Sequence, residues 1–145
     1  MPLPPLNGTF DENAVVDFAC MWLESQGFQI MRRATTKQRG IDIVAKRGDE
    51  GWLIEAKGGT SARTGSPRHG KGFNQNQIID RVMKGFYTVA ALAETPERNG
   101  ARIGFAMPRS PTAERYIGMV HTAMATLGIT MLWVEPDGSV AEVLA

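Results

Sequence analysis

One cysteine and two histidines are all that 145 residues contain of thiol and imidazole metal ligands. A single thiol, Cys20, closes no internal disulfide, and with His69 and His121 it falls short of the four ligands of a structural zinc site. No uninterrupted apolar run reaches the length of about 18 residues that a membrane-spanning helix needs. The opening residues, Met1-Pro-Leu-Pro-Pro-Leu-Asn-Gly8, have neither the basic start nor the apolar core of a secretory signal. Internal repeats and low-complexity tracts are missing as well. These absences lead to the expectation of a reduced, cytoplasmic protein with no membrane segment. The composition that remains, 43% apolar and 21% charged, is that of a globular chain long enough for one domain of ordinary size. An extended, Pro-rich leader over 1–8 is expected to precede a single domain over 9–145.

Net charge is also nearly missing, at +1, but the charges are segregated. Residues 1–56 hold six basic and eight acidic groups, and residues 85–145 hold four and six. Between them, Lys57, Arg63, Arg68, Lys71, Arg81 and Lys84 face only Asp80. A basic middle between mildly acidic flanks suits a phosphate-facing surface, and equally a solvated loop with some arginine.

Hydrophobic periodicity sets the expected elements. Val15, Val16, Ala19, Trp22 and Leu23 recur at helical spacing over 10–26, opened by a Thr9-Phe-Asp-Glu12 capping box and stopped at Gly27. Strands follow at Phe28–Arg33, Ile41–Lys46 and Trp52–Lys57, with a polar turn at Thr35–Gly40 and a hairpin loop at Arg47–Gly51. Gly58–Gly72 has no periodicity and reads as a long, functional loop. A helix is expected over Phe73–Ala93, with Ile79, Val82, Phe86 and Ala90 on one side and Ile78, Met83 and Tyr87 beside them. Then come a strand at Arg102–Met107, a helix from Pro111 capped by Ser110 and ended by Gly128, and strands at Ile129–Val134 and Val140–Leu144. The order α-β-β-β-α-β-α-β-β describes an α/β domain with a central mixed β-sheet flanked by helices.

Chemistry concentrates in Gly40-Ile-Asp-Ile-Val-Ala-Lys46 and Trp52-Leu-Ile-Glu-Ala-Lys57. Asp42, Glu55 and Lys57 interrupt stretches otherwise built for burial, and a lone buried charge costs several kcal/mol, roughly, unless it is partnered. Residues two apart on a strand share a face, which puts Glu55 and Lys57 together, and a hairpin brings Asp42 alongside. Two carboxylates beside an ammonium suit Mg²⁺ or Mn²⁺, with the Ala56 carbonyl, water and a substrate phosphate filling the shell. Such a cation polarises a phosphodiester and activates water, with Lys57 positioning that water or stabilising developing charge. An ordinary cross-strand salt bridge accounts for the same three residues without any chemistry.

Gly40-Ile-Asp42 and Glu55-Ala-Lys57, twelve residues apart, resemble the active-site signature of the PD-(D/E)xK nuclease superfamily, whose fold is that of restriction endonucleases. Gly27-Phe-Gln-Ile-Met-Arg-Arg33 after a helix is similar to its Holliday-junction resolvase and Mrr-like branches. The resemblance spans roughly residues 9–93, and Ile41 stands where the family name has proline. It implies a Mg²⁺-dependent endonuclease acting on DNA, with Asp42 and Glu55 as metal ligands and Lys57 as the catalytic lysine. It further implies that Glu12, on the first helix, reaches the metal, whereas the capping box would give Glu12 a purely structural task. Gln77 is a catalytic candidate by the same resemblance, with Arg81 and Lys84 on its side of the helix. A solvent-exposed polar face explains those three as well. Gln75 competes with Gln77 if the helix register shifts.

Arg63, Arg68 and Lys71, with Arg81 and Lys84, are candidate contacts to a nucleic-acid backbone. Gly65-Ser-Pro-Arg-His-Gly-Lys-Gly72 nearly spells a phosphate-binding loop, but Gly72 stands where Ser or Thr is needed to hold Mg²⁺. A nucleotide-binding protein is thus the third reading, behind a nuclease and behind a catalytically inactive nucleic-acid-binding or assembly module on the same fold. Cutting both strands of a duplex takes two active sites, so a homodimer is a candidate assembly. Cys20, His121, Met119, Met124 and Trp133 read as packing residues, and His69 as an exposed loop residue.

Overall fold

The computed structural model describes residues 10–34, 40–60 and 73–144. Its elements are α1 (Glu12–Ser25), β1 (Gln29–Arg33), β2 (Ile43–Arg47), β3 (Glu50–Ala56), α2 (Gln75–Glu94), a short 3₁₀ turn (Pro96–Arg98), β4 (Arg102–Pro108), α3 (Pro111–Met119), α4 (His121–Leu127), β5 (Ile129–Val134) and β6 (Val140–Leu144). Six strands form one sheet in the order β1-β2-β3-β4-β5-β6. β2 runs antiparallel to both β1 and β3, β4 and β5 continue parallel to β3, and β6 returns antiparallel to β5. The expected α/β architecture with a mixed sheet flanked by helices is therefore present.

The strands at the centre read as continuous apolar runs because both their faces are covered. On one face α1 packs Val15, Ala19 and Leu23 against Ile43, Ile54, Ala56, Ala106 and Leu132. On the other, Ile78, Val82 and Val89 of α2 and Ile117 and Met124 of α3 and α4 cover Leu53, Ile103, Phe105, Met107 and Met131. Alternation along β3 sends Trp52, Ile54 and Ala56 toward α1 and leaves Leu53 and Glu55 for the α2 side. That parity decides which side of the sheet the charged residues occupy.

Two glycines let backbone approach closely where a side chain cannot fit. A Cβ on Gly85 of α2 would collide with the Phe105 ring of β4, so this glycine lets the helix lie directly on the sheet. A Cβ on Gly58 would run into the backbone of Asp11 and Glu12. The Gly59 N–H donates to the Phe10 carbonyl at 2.7 Å, and the Phe73 N–H donates to the Gly59 carbonyl at 2.8 Å. The start of α1, the end of β3 and the approach to α2 are thereby tied at one point.

Three local expectations change. The cap of α1 is Asp11, whose carboxylate accepts from the Ala14 N–H at 2.8 Å, so Glu12 is the first helical residue and not the far half of a Thr9 capping box. The Pro111–Leu127 helix is broken at Val120, where φ is −115° and ψ is 18°. Gly118 and β-branched Val120 are weak helix formers two residues apart, and Val120 is partly buried against the core. Cys20, Met124 and Trp133 are buried as expected, whereas Met119 and His121 stand exposed beside that break. The 1–8 leader and most of the 35–40 turn lie outside the described residues.

The packing makes a paired prediction. Gly85→Ala should lower unfolding stability by about 1–3 kcal/mol through overpacking against Phe105. Gly118→Ala, with no atom within 4 Å of the added methyl, should be neutral or stabilising by up to about 1 kcal/mol. Urea denaturation of the two variants checks this, and the reverse order would refute the helix–sheet contact.

Candidate active site at the end of the third strand

The register of β2 on β3 pairs Ile43 with Ile54, so the next positions outward, Asp42 and Glu55, lie opposite each other on the α2 side of the sheet. Asp42 is the residue just before β2, whereas the strand expected from sequence begins at Ile41 and includes it. Its carboxylate oxygen Oδ2 accepts from the Ala56 N–H at 2.8 Å, and its carbonyl accepts from the Ala34 N–H at 2.8 Å. The side chain thus takes over the ladder bond that the backbone no longer makes there. The Lys57 N–H donates to the Ala106 carbonyl at 2.9 Å, which carries the parallel pairing with β4 one residue past β3. Lys57 is thereby held on the same side as Glu55, with Nζ 3.3 Å from Glu55 Oε2.

Asp42 and Glu55 are each only 7% exposed, and the β2–β3 register sets their carboxyls beside each other. Two buried carboxylates so placed repel each other unless one takes up a proton. Burial first, then the hydrogen bond and charge of Asp42, push the Glu55 pKa up to about 8, against the downward pull of Lys57. Glu55 therefore favours its protonated form near neutral pH, beside Asp42 and facing the Lys57 ammonium.

Glu12 enters this field from the opposite layer, because the tie at Gly58 and Gly59 brings the first turn of α1 to the end of β3. Its pKa is raised by burial and then by Asp42, and lowered by Lys57 and Arg81, so charges from α1, β2, β3 and α2 meet here. Glu12 does not make a three-carboxylate ligand set with Asp42 and Glu55: among the described residues no group of three or more His, Cys, Asp and Glu is placed to hold a metal ion. The two-carboxylate pair nonetheless fits Mg²⁺ or Mn²⁺. Mg²⁺ is ordinarily held by one or two carboxylates plus water and substrate oxygens, and replacing the shared proton by a cation relieves the crowding of the pair.

On α2 the outcome is mixed. Gln77 completes a capping box with Asn74: its Oε1 accepts from the Asn74 N–H and its own N–H donates to Asn74 Oδ1, both at 2.9 Å. The capping box assigned from sequence to Thr9 and Glu12 is thus found on the second helix instead. Gln75 is exposed in the first turn. Arg81, one turn beyond Gln77, stacks its guanidinium 5.1 Å from the Phe73 ring and is the α2 cation that Glu12 senses. Lys84 pairs with Asp80 at 3.1 Å, a solvated pair on the helix surface. Arg63, Arg68, Lys71, His69 and the whole Gly65–Gly72 segment lie outside the described residues.

Sequence reasoning missed what flanks the acids. Met83 and Tyr87, expected beside the apolar side of the helix, are exposed on α2. Tyr87 and Thr88 line two cavities, one of about 410 Å³ onto which Glu55 opens and one of about 550 Å³ that holds Lys57 and Lys84. The signal was present in the spacing Asp80, Lys84, Tyr87, Ala91, a stripe whose two charges place it toward water. Compared with protein-family models and with curated proteins, the chain matches none.

The shared proton predicts a pH signature. Glu55 holds its proton in the fold up to about pH 8, while its ordinary pKa is 4.5. The stability it contributes is complete at low pH and is lost as the pH rises through that window. Without divalent cations, the melting temperature should fall from about pH 5 to 9 more steeply for the wild type than for Glu55→Gln. Parallel profiles would show that the pair does not share a proton.

Proposed function

We infer that the chain is a metal-dependent phosphodiesterase, an endonuclease-like protein acting on DNA, on a fold of the restriction-endonuclease type. The observation that carries this reading is the convergence of Asp42, Glu55 and Lys57 on one face at the end of β3, two nearly buried carboxyls and an amine within reach of one another. The Asp-x12-Glu-x-Lys spacing adds its resemblance to the PD-(D/E)xK nucleases.

A divalent cation, when bound, supplies polarisation of a phosphodiester oxygen and a water of lowered pKa. Asp42 and Glu55 hold the place for it, with Asp42 kept in position by the Ala56 N–H. Lys57, 17% exposed, faces that place with its ammonium anchored by Glu55. From there it orients an attacking water or meets the negative charge that grows on the phosphate. Glu12 and Arg81 adjust the field around these groups, and Lys84 offers a more exposed cation to a neighbouring phosphate. Gln77 contributes through the start of α2, which it caps, more directly than through contact with phosphate.

A second reading, an inactive nucleic-acid-binding module, is favoured by one specific feature. The Lys57 ammonium and the Glu55 carboxyl, 3.3 Å apart, already partner each other without any substrate. Plasmid nicking separates the two. Supercoiled DNA should be nicked with Mg²⁺ or Mn²⁺ and not with EDTA. Asp42→Ala and Lys57→Ala should each slow nicking by at least about 100-fold. Nicking that survives both substitutions removes this site assignment. Salt-sensitive binding with no nicking by the wild type leaves the inactive module in its place.

A further inference from the structure

We propose that the cavity beside Glu55 is a nucleobase pocket, so that the site acts on a strand whose base next to the reacting phosphate is unpaired. This rests on the reading of Asp42, Glu55 and Lys57 as the phosphate-cleaving centre. Phosphate contacts alone account for Lys57, Lys84 and Arg81, but not for Tyr87, which is 76% exposed on α2 at the rim of the site. Nor do they account for the apolar walls around it.

Tyr87 and Thr88 stand between the two cavities. The smaller, about 410 Å³, is walled by Ile41, Ala91 and Leu92 with Glu55 at its edge, a size that takes a nucleoside. A base has apolar faces and a polar rim, which matches a space with one aromatic wall, aliphatic surroundings and few polar groups. The Thr88 hydroxyl donates to the Lys84 carbonyl at 2.9 Å and keeps its oxygen as an acceptor toward a base edge. The larger cavity, about 550 Å³, carries Lys57 and the solvated Lys84–Asp80 pair, and its two cations against one anion suit the adjoining sugar–phosphate. A nucleotide laid across Tyr87, base on one side and phosphate on the other, has its phosphodiester beside Glu55 and Lys57. A base stacked and paired in a duplex reaches neither wall without leaving its helix, whereas an unpaired base enters directly.

Binding is read with Ca²⁺ in place of Mg²⁺, using a short single-stranded DNA that carries 2-aminopurine and the same strand in a full duplex. The wild type should bind the single strand more tightly than the duplex and quench the 2-aminopurine emission. Tyr87→Ala should bind the single strand about 5- to 100-fold more weakly without quenching, and Tyr87→Phe should match the wild type. Equal affinity for duplex and single strand, unchanged binding by Tyr87→Ala, or no binding of either DNA overturns the pocket. Failure here stays distinct from failure of the nuclease reading. Asp42-dependent nicking without a Tyr87 effect keeps the nuclease and loses the pocket. Tyr87-dependent stacking without nicking does the opposite.

Discussion

A carboxyl group removed from water has to be met by donors or by a proton, and in this protein one pair of carboxyls is met by both. Asp42 receives the Ala56 N–H on one oxygen, and its closeness, after burial, raises the pKa of Glu55 so that a proton is favoured between them. The first bond is structural: it replaces the rung of the β2–β3 ladder that is lost where the chain leaves the sheet, and it fixes Asp42 against β3. The second is a consequence of the first. With Asp42 held there, Glu55 cannot ionise without placing two negative charges side by side in a site where each residue is only 7% exposed. Lys57 offsets part of that repulsion, yet burial and Asp42 together outweigh it.

The rest of the fold is arranged so that this pair sits at a meeting point of layers. Parallel pairing of β3 with β4 runs on through the Lys57 N–H, which keeps the lysine on the face of Glu55. Gly58, with no room for a Cβ, lets the first turn of α1 press onto the end of β3 and brings Glu12 across from the opposite face of the sheet. Gly85 lets α2 lie close on Phe105, and that closeness sets how far Arg81, Lys84 and Tyr87 stand from the acids. Small residues at two contacts therefore govern the spacing of charged ones at a third.

Most of the sheet was legible because its strands carry uninterrupted apolar runs between turn residues; β5 and β6 fall at their expected boundaries. The site core was legible for the opposite reason. Asp42, Glu55 and Lys57 break such runs, and alternation alone places Glu55 and Lys57 on one face. What sequence could not supply was choice among equivalent local signals. Asp11 and Thr9 both suit an N-cap, and tertiary contact through Phe10 and Gly58 selects Asp11. Gln77 was weighed as a catalytic residue, but Asn74 three residues earlier turns it into half of a capping box. Met83 and Tyr87 match an apolar helix stripe, which competes with the charged Asp80 and Lys84 stripe beside it, and the position of α2 over the sheet decides that they face outward. The break at Val120 is likewise a packing decision, since the Pro111–Leu127 segment keeps helical character on both sides of it.

The proton held between Asp42 and Glu55 is the claim on which the functional reading turns, because a pair that stores a proton in the absence of metal has to release it when a divalent cation arrives. Calorimetric titration of the protein with Mn²⁺ near pH 7, repeated in two buffers of different ionisation heat, measures that release directly. One Mn²⁺ per chain bound with net release of up to about one proton, and neither binding nor release in Asp42→Asn, is the expected result. Absence of Mn²⁺ binding, or binding in the wild type with no buffer dependence, would mean that the two acids are a structural clasp and not a metal site.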